Sequence, residues 1–131
     1  MSLETAIARF RRRQADLFRD TARIERPSGT TTLDPNTGQE TPDPPTLIYE
    51  GACALRGMRW DGTDVEAGGG EVRLKGSRIH FPTDTAVLHK DLVTFTGSIY
   101  DPSLVGRTFV VIDVPPEGWQ ISRWVLVEEV T

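Results

Sequence analysis

The spacing of hydrophobic residues along the chain changes once, near Asp20. Before that point, at about 100° per residue, one stripe of a helix would collect Leu3, Ala6, Ile7, Phe10, Leu17 and Phe18. Ser2 is a favourable N-cap, because its hydroxyl can accept a hydrogen bond from a free backbone N–H of the first turn. The pattern predicts an amphipathic helix over residues 3–19, although Gln14 interrupts the apolar stripe.

After Asp20 the period becomes that of a strand. In "TARIER", Ala22 and Ile24 share one face, while charged residues occupy the other. The next stretch, "PSGTTTLDPNTGQETPDPP", is rich in turn-forming residues and predicts a turn followed by a hairpin tip. Residues 47–57, "LIYEGACALRG", predict a further strand, in which Gly51 marks a bulge or a close approach of backbone.

A glycine-rich segment interrupts the strand pattern over residues 57–71. Five glycines and several acidic residues lie between Gly57 and Glu71, without a strand or helix period. A loop of this length is uncommon in a compact domain and is usually functional or disordered. The segment is therefore predicted to be a long mobile loop.

The second half of the chain is a series of short β runs. "EVRLKGSRIHFP", "DLVTFTG", "RTFVVIDV" and "WQISRWVLVEEV" are rich in β-branched and aromatic residues, and turn-like spacers separate them. The fold class predicted is mainly β: a small antiparallel β-barrel or curled sandwich with one N-terminal α-helix and the long loop. Residues 1–20 would form the helix and residues 21–131 the β domain.

Charge is distributed unevenly between these two parts. The whole chain has a net charge of −4, yet residues 1–26 carry seven arginines against four acidic residues. Four of these arginines surround one phenylalanine, and the five candidate docking residues are Arg9, Phe10, Arg11, Arg12 and Arg13. Arg12 lies almost opposite the apolar stripe. Such asymmetry indicates either that the two parts face different partners or that the helix has a solvated face.

Residues that could carry catalysis or bind a metal are few. His80 and His89 lack zinc-ligand spacing, and Gly68–Gly70 is not followed by the Lys-Ser/Thr of a phosphate-binding loop. The single cysteine, Cys53, lies among small apolar residues and is more typical of a core position than of a nucleophile. No apolar run reaches the length of a membrane span. We therefore expect no enzymatic activity, cofactor, metal or membrane partner.

The segment "RIHFPTDTAVLHKDLVTFTGSIYDPSLVGRTFVVIDV" resembles the head-completion proteins of long-tailed phages, also called head-to-tail stoppers or connectors. The matching pieces are a strand ending in proline, a pair that opens a new strand, a P-x-L-x-G-R turn and an FxV strand, at residues 79–82, 90–95, 102–107 and 109–114. Lys90 stands where glycine is often found. Upstream, "TARIERPSGTTTLDPNTG" looks like the first hairpin of that family, and Tyr49 and Gly51 look like its Y-x-G element.

The resemblance covers the chain from about Thr21 onward and rests on the order of the motifs along the chain. It implies a structural virion protein at the head–tail junction, made in the cytoplasm of a bacterial host. Its subunits would form a sixfold or twelvefold homo-oligomeric ring between the portal or adaptor and the tail terminator or tail tube protein. That ring would retain packaged DNA and provide the platform for tail attachment.

Members of that family act through loops rather than active sites, which gives two segments a candidate role. The loop would face the channel, with candidate residues Arg59, Trp60, Asp61, Asp64 and Glu66. Its acidic groups would repel phosphate, which suits a gate. The basic helix would dock on an acidic neighbouring ring, or contact packaged double-stranded DNA without reading its sequence.

Two alternatives stay open. The first is a tail-terminator or other tail-completion subunit, which is also a ring protein. The second is a small β-barrel nucleic-acid-binding protein, which would interleave aromatic and basic residues on one surface. The tryptophans Trp60, Trp119 and Trp124 do not lie in a basic field of the sequence.

Overall fold

The computed structural model describes residues 2–56, 75–118 and 120–130. Helix α1 (Leu3–Asp16) begins at the N-cap Ser2, whose Oγ accepts a hydrogen bond from the Thr5 amide at 3.2 Å. The helix ends three residues before the predicted position. At its end the Leu17 and Phe18 amides bond back to Gln14 and Ala15 in a tight turn, which carries Phe18 to a buried position.

Six strands close into an antiparallel barrel in the order β1-β4-β5-β8-β7-β6. The barrel strands are β1 (Asp20–Arg26), β4 (Thr46–Arg56), β5 (Lys75–Phe81), β6 (Leu92–Ser98), β7 (Thr108–Asp113) and β8 (Arg123–Val130), with a short 3₁₀ helix (Pro102–Leu104) after β6. Strand β1 closes the barrel, because it pairs with β4 on one side and with β6 on the other. The mainly β fold with one N-terminal helix is confirmed, and of the two predicted architectures it is the barrel.

Between β1 and β4 the chain leaves the barrel as a hairpin, here called the arm (residues 27–45). Its strands β2 (Thr31–Leu33) and β3 (Glu40–Pro42) pair with each other in a separate two-stranded sheet. Every residue of the arm is exposed except Asp34 and Asp43, which are half-buried. The predicted hairpin is therefore present, and it projects from the barrel.

The barrel interior is filled by alternate residues of the strands. Three phenylalanines, Phe81, Phe95 and Phe109, are almost fully buried among Val and Ile side chains. The rings of Phe95 and Phe109 meet edge to face, with centroids 5.4 Å apart, which is a favourable arrangement for aromatic pairs. Cys53 is fully buried in the same core, as its apolar neighbours in the sequence predict.

Gly51 makes a close approach, but to a side chain and not to backbone. Its register with Ala22 is regular, and the bulge between β1 and β4 lies further along, between Ile24 and Glu25. A Cβ at Gly51 would lie 2.8 Å from the Tyr49 hydroxyl, which folds over this position to donate to the Ala52 carbonyl at 2.7 Å. The bulge predicted at Gly51 is therefore wrong.

Candidate functional site

The apolar stripe of α1 is not covered by the barrel of the same chain. No residue of the helix is buried, and the exposed fractions of Leu3 and Phe10 are 51% and 52%. Ile7 and Ala6 are only partly covered. Because an amphipathic helix usually gains its stability by burying its apolar stripe, this face is a candidate interaction surface.

The arginines of the predicted docking cluster fall into two groups. Arg9, Arg12 and Arg13 are exposed beside the half-exposed Phe10. Arg11 instead donates from Nε to the Gln120 carbonyl, at 2.8 Å, and so ties the helix to the connection between β7 and β8. All five predicted docking residues are therefore exposed, and Arg11 also makes an intramolecular hydrogen bond.

The joint between α1 and the barrel is firmly bonded. The Arg19 carbonyl accepts from the Ile99 amide at 3.1 Å. The Asp20 carboxylate accepts from the Leu55 amide at 3.0 Å and from the Ser98 hydroxyl at 2.6 Å. With Phe18 buried, these bonds fix the helix at the barrel end where β1 begins and where β4 and β6 end.

The arm has the opposite charge to the helix. Residues 27–45 contain no Lys, Arg or His, and their acidic residues are Asp34, Glu40 and Asp43. The Asn36 amide donates to the Asp34 carboxylate at 2.9 Å, and this bond lowers the pKa of Asp34. The hydroxyls of Thr30 and Thr32 donate to Asp43 and lower its pKa as well. Both carboxylates therefore stay ionised at neutral pH.

A cleft of about 450 Å³ lies at the base of the arm, where the arm meets the barrel. Its apolar walls come from three arm prolines and a residue of β6: Pro27, Pro42, Pro45 and Leu92. Its acidic lining residues are Glu25, which forms an ion pair with Arg23 at 2.8 Å, and Asp43. The cleft therefore combines apolar walls with the Asp43 carboxylate, while the charge of Glu25 is offset by Arg23.

The helix contact and the arm occupy opposite positions in the closed order of strands. The arm joins β1 to β4, whereas Gln120, which holds Arg11, lies in the connection that joins β7 to β8. In the ring β1-β4-β5-β8-β7-β6 those two pairs face each other across the barrel. One chain therefore presents two different candidate surfaces, a basic one and an acidic one.

The remaining candidates from the sequence are the long loop, a metal site, a membrane span and Cys53. The channel-facing loop over residues 57–71, with Arg59, Trp60, Asp61, Asp64 and Glu66, lies outside the described residues. Within the described parts of the chain no group of His, Cys, Asp and Glu is arranged to hold a metal ion. Among those same residues no helix is both long and apolar enough to cross a membrane. Burial raises the pKa of the Cys53 thiol, which disfavours the thiolate that a nucleophile needs.

Two turns of the chain contain a residue with a positive φ angle. Lys90, before β6, has a φ of 73°. Gly106, before β7, has a φ of 86°. Both positions adopt the left-handed conformation that glycine enters without strain, and Lys90 adopts it in spite of its side chain.

The comparisons with known proteins give a family without an assigned role. The model of a family of unknown function, DUF6093, matches residues 10–128, which is most of the chain. The chain therefore belongs to the DUF6093 family. Neither the search of curated proteins nor the search of solved structures found a match.

Proposed function

We propose that this member of the DUF6093 family is a head-to-tail connector, or stopper, of a long-tailed phage. In this role the chain is a structural virion protein without catalytic activity. Its copies form a ring between the portal or adaptor and the tail, retain the packaged DNA and provide the surface to which the tail attaches. The ring binds the portal or adaptor on one side and the tail terminator or tail tube protein on the other.

The main observation behind this proposal is that a single chain leaves the apolar stripe of α1 largely uncovered. A single chain exposes the stripe that contains Leu3 and Phe10, and Arg9 and Arg13 flank that stripe. An uncovered apolar stripe with a polar border suits a subunit that docks on a partner. The β-barrel supplies the rigid body that such a subunit needs.

The turn geometry supports the resemblance on which the proposal also depends. Lys90 and Gly106 have positive φ angles at the two motif positions where glycine is expected. These turns lead into β6 and β7, which are neighbours in the barrel wall. Motif order and backbone conformation thus agree over residues 79–114.

Removal of the gene from the genome that encodes it gives the most direct test. We expect filled heads to lose their DNA, because a stopper ring closes the head. We expect tails to remain unattached, because the same ring is the surface to which they bind. Purified protein added to those heads should restore attachment. Infectious particles formed without the protein would overturn the proposal, and complete tails of irregular length on closed heads would favour the tail-terminator alternative.

The helix is tested by charge reversal with Arg11 left intact, so that its bond to Gln120 is kept. Changing Arg9, Arg12 and Arg13 to Glu should abolish attachment to tailless heads and leave the barrel folded, because exposed charges contribute only tenths of a kcal/mol each to stability. The matched control is Arg23→Glu, which reverses an exposed arginine on β1. Equal attachment of the two variants would show that the helix is not part of the docking surface.

Binding to single-stranded DNA separates the remaining alternative. A stopper should bind it weakly at physiological salt, since contacts to phosphate alone fall steeply with salt concentration. Tight binding that survives this salt concentration and depends on Trp124 would identify a nucleic-acid-binding barrel instead.

A further inference from the structure

We infer that α1 of one copy docks in the cleft at the base of the arm of a second copy of this chain. The inference rests on the proposed ring and names the contact between neighbouring subunits. Phe10 is the apolar anchor of the contact, and Arg9 and Arg13, which flank it on the helix, face the acidic arm.

Charge complementarity selects the arm as the site. Residues 3–19 carry five arginines and two acidic residues, whereas the arm, residues 27–45, carries three acidic residues and no basic one. The cleft itself is lined by Glu25 and Asp43, and no Lys, Arg or His is among its lining residues. Complementary potentials of this kind steer two surfaces together and fix their register.

Shape and polarity agree with this choice. The half-exposed ring of Phe10 needs an apolar seat, and the cleft offers one between Pro27, Pro42, Pro45 and Leu92. An aromatic anchor in an apolar pocket with charged groups at the rim is the usual arrangement of a protein–protein hot spot.

The topology makes the contact one between copies. Arg11 holds α1 at Gln120, in the connection between β7 and β8. In the closed order of strands, that connection lies opposite the arm of the same chain. A surface that meets a different surface of the next copy gives a head-to-tail contact, and such contacts close into a ring when the rotation between copies allows it. The same contact explains how one small chain can form a ring without a two-fold interface.

Photocross-linking from position 10 tests the contact. Phe10 is replaced by a benzoyl-phenylalanine, and equal amounts of ¹⁵N-labelled and unlabelled protein are mixed, concentrated at low salt and irradiated. We expect cross-linked peptides that join position 10 to residues 27–45, in light–heavy pairs that only a contact between copies can produce. Cross-links within one copy, cross-links to another segment, or no cross-link between copies at any concentration would overturn the inference.

A charge swap tests the ionic part of the same contact. Arg13→Glu and Glu40→Lys should each lower the light–heavy yield about fivefold, and the double variant should return it to near the unswapped level. Both side chains are exposed, so neither change is expected to unfold the barrel. Asp113→Lys, at an exposed acid of β7, is the control and should leave the yield unchanged. A double variant no better than the singles would show that Arg13 does not face Glu40.

The outcomes separate this inference from the proposed function. Protein that attaches to heads and gives no cross-link to the arm leaves the connector role standing and overturns the helix-to-arm contact. Cross-links to the arm in a protein that never attaches to heads support the contact and overturn the connector role. If added duplex DNA abolishes the cross-links to the arm and itself becomes cross-linked to position 10, α1 is a DNA-binding element and the inference is wrong.

Discussion

The guanidinium of Arg26 holds both carboxylate oxygens of Asp91, with Nε 2.9 Å from Oδ1 and Nη2 3.0 Å from Oδ2. The Asp91 side chain is 1% exposed, whereas that of Arg26 is 37% exposed. Oδ2 also accepts from the Leu88 amide at 2.8 Å, and Nη2 donates to the Ala86 carbonyl at 3.1 Å. Hydrogen bonding to Asp91 raises the pKa of Arg26. The pair fastens the segment between β5 and β6 to the end of β1.

Removal of either partner of this ion pair should destabilise the barrel. We expect Arg26→Met to lower the free energy of unfolding by about 2–3 kcal/mol, because it leaves the Asp91 carboxylate buried and unpaired. Urea denaturation measures the loss. Arg23→Met, which breaks the exposed pair with Glu25, is the control and should cost less than about 1 kcal/mol. Equal losses in the two variants would contradict the assignment.

The close approach of Tyr49 to Gly51 gives a second prediction. Gly51→Ala should cost about 1 kcal/mol, because its Cβ displaces the Tyr49 hydroxyl from the Ala52 carbonyl. In a Tyr49→Phe background the same change should cost less, since that hydrogen bond is already absent. Thermal denaturation of the unsubstituted chain, the two single variants and the double variant measures the coupling. Gly118→Ala, where a Cβ meets open space, is the control, and additive losses would contradict the prediction.

Stability should fall on acidification partly through His80. Burial, and then the charges of Arg56 and Arg78, lower the pKa of His80 below its ordinary 6.5. The unfolded chain therefore binds a proton at a pH where the folded chain does not, and stability is lost as the pH falls through 6.5. His80→Gln should reduce the difference in Tm between about pH 7.5 and about pH 5, relative to the unsubstituted chain. His89→Gln, at an exposed position, should not reduce it.

The thiol of Cys53 should be unreactive in the folded protein. Cys53 is fully buried, and burial, followed by the nearby Asp20 carboxylate, raises its pKa, so both access and the thiolate are lacking. Iodoacetamide should modify the native chain at a negligible rate and modify it fully in urea, as mass spectrometry would show. A Leu33→Cys variant on the exposed arm should take up one label without urea. Rapid native labelling of Cys53 would contradict the buried placement.

Local patterns were enough to predict the elements of this fold, and long-range pairing decided the architecture. The helical period before Asp20 and the alternation after it predict α1 and β1 correctly. A closed barrel differs from a curled sandwich by the pairing of β1 with β6, in which Asp20 lies opposite Ser98. The spacing of hydrophobic residues within one segment does not indicate which distant strand that segment pairs with. The end of α1 was misplaced because the burial of Phe18 depends on the barrel.

The candidate site was predicted in part for the same reason. The exposed arginines follow from the helical period, since Arg12 lies opposite the apolar stripe. The bond from Arg11 to Gln120 and the pair of Arg26 with Asp91 join residues 109 and 65 positions apart, which spacing along the chain does not indicate. The acidic stretch over residues 27–55 was present in the sequence. That part of this stretch lines a cleft where the base of the arm meets the barrel is visible only in the structure.

The way the barrel closes also has a consequence for how the chain is made. Strand β1 is synthesised first, but its second neighbour, β6, follows some 70 residues later. Strand β8 fills the last position between β5 and β7, so closure must wait until Val130 has left the ribosome. Such non-local pairing makes folding slow compared with a helical protein of similar size. The barrel is therefore expected to close in one concerted step, once all six strands have been synthesised.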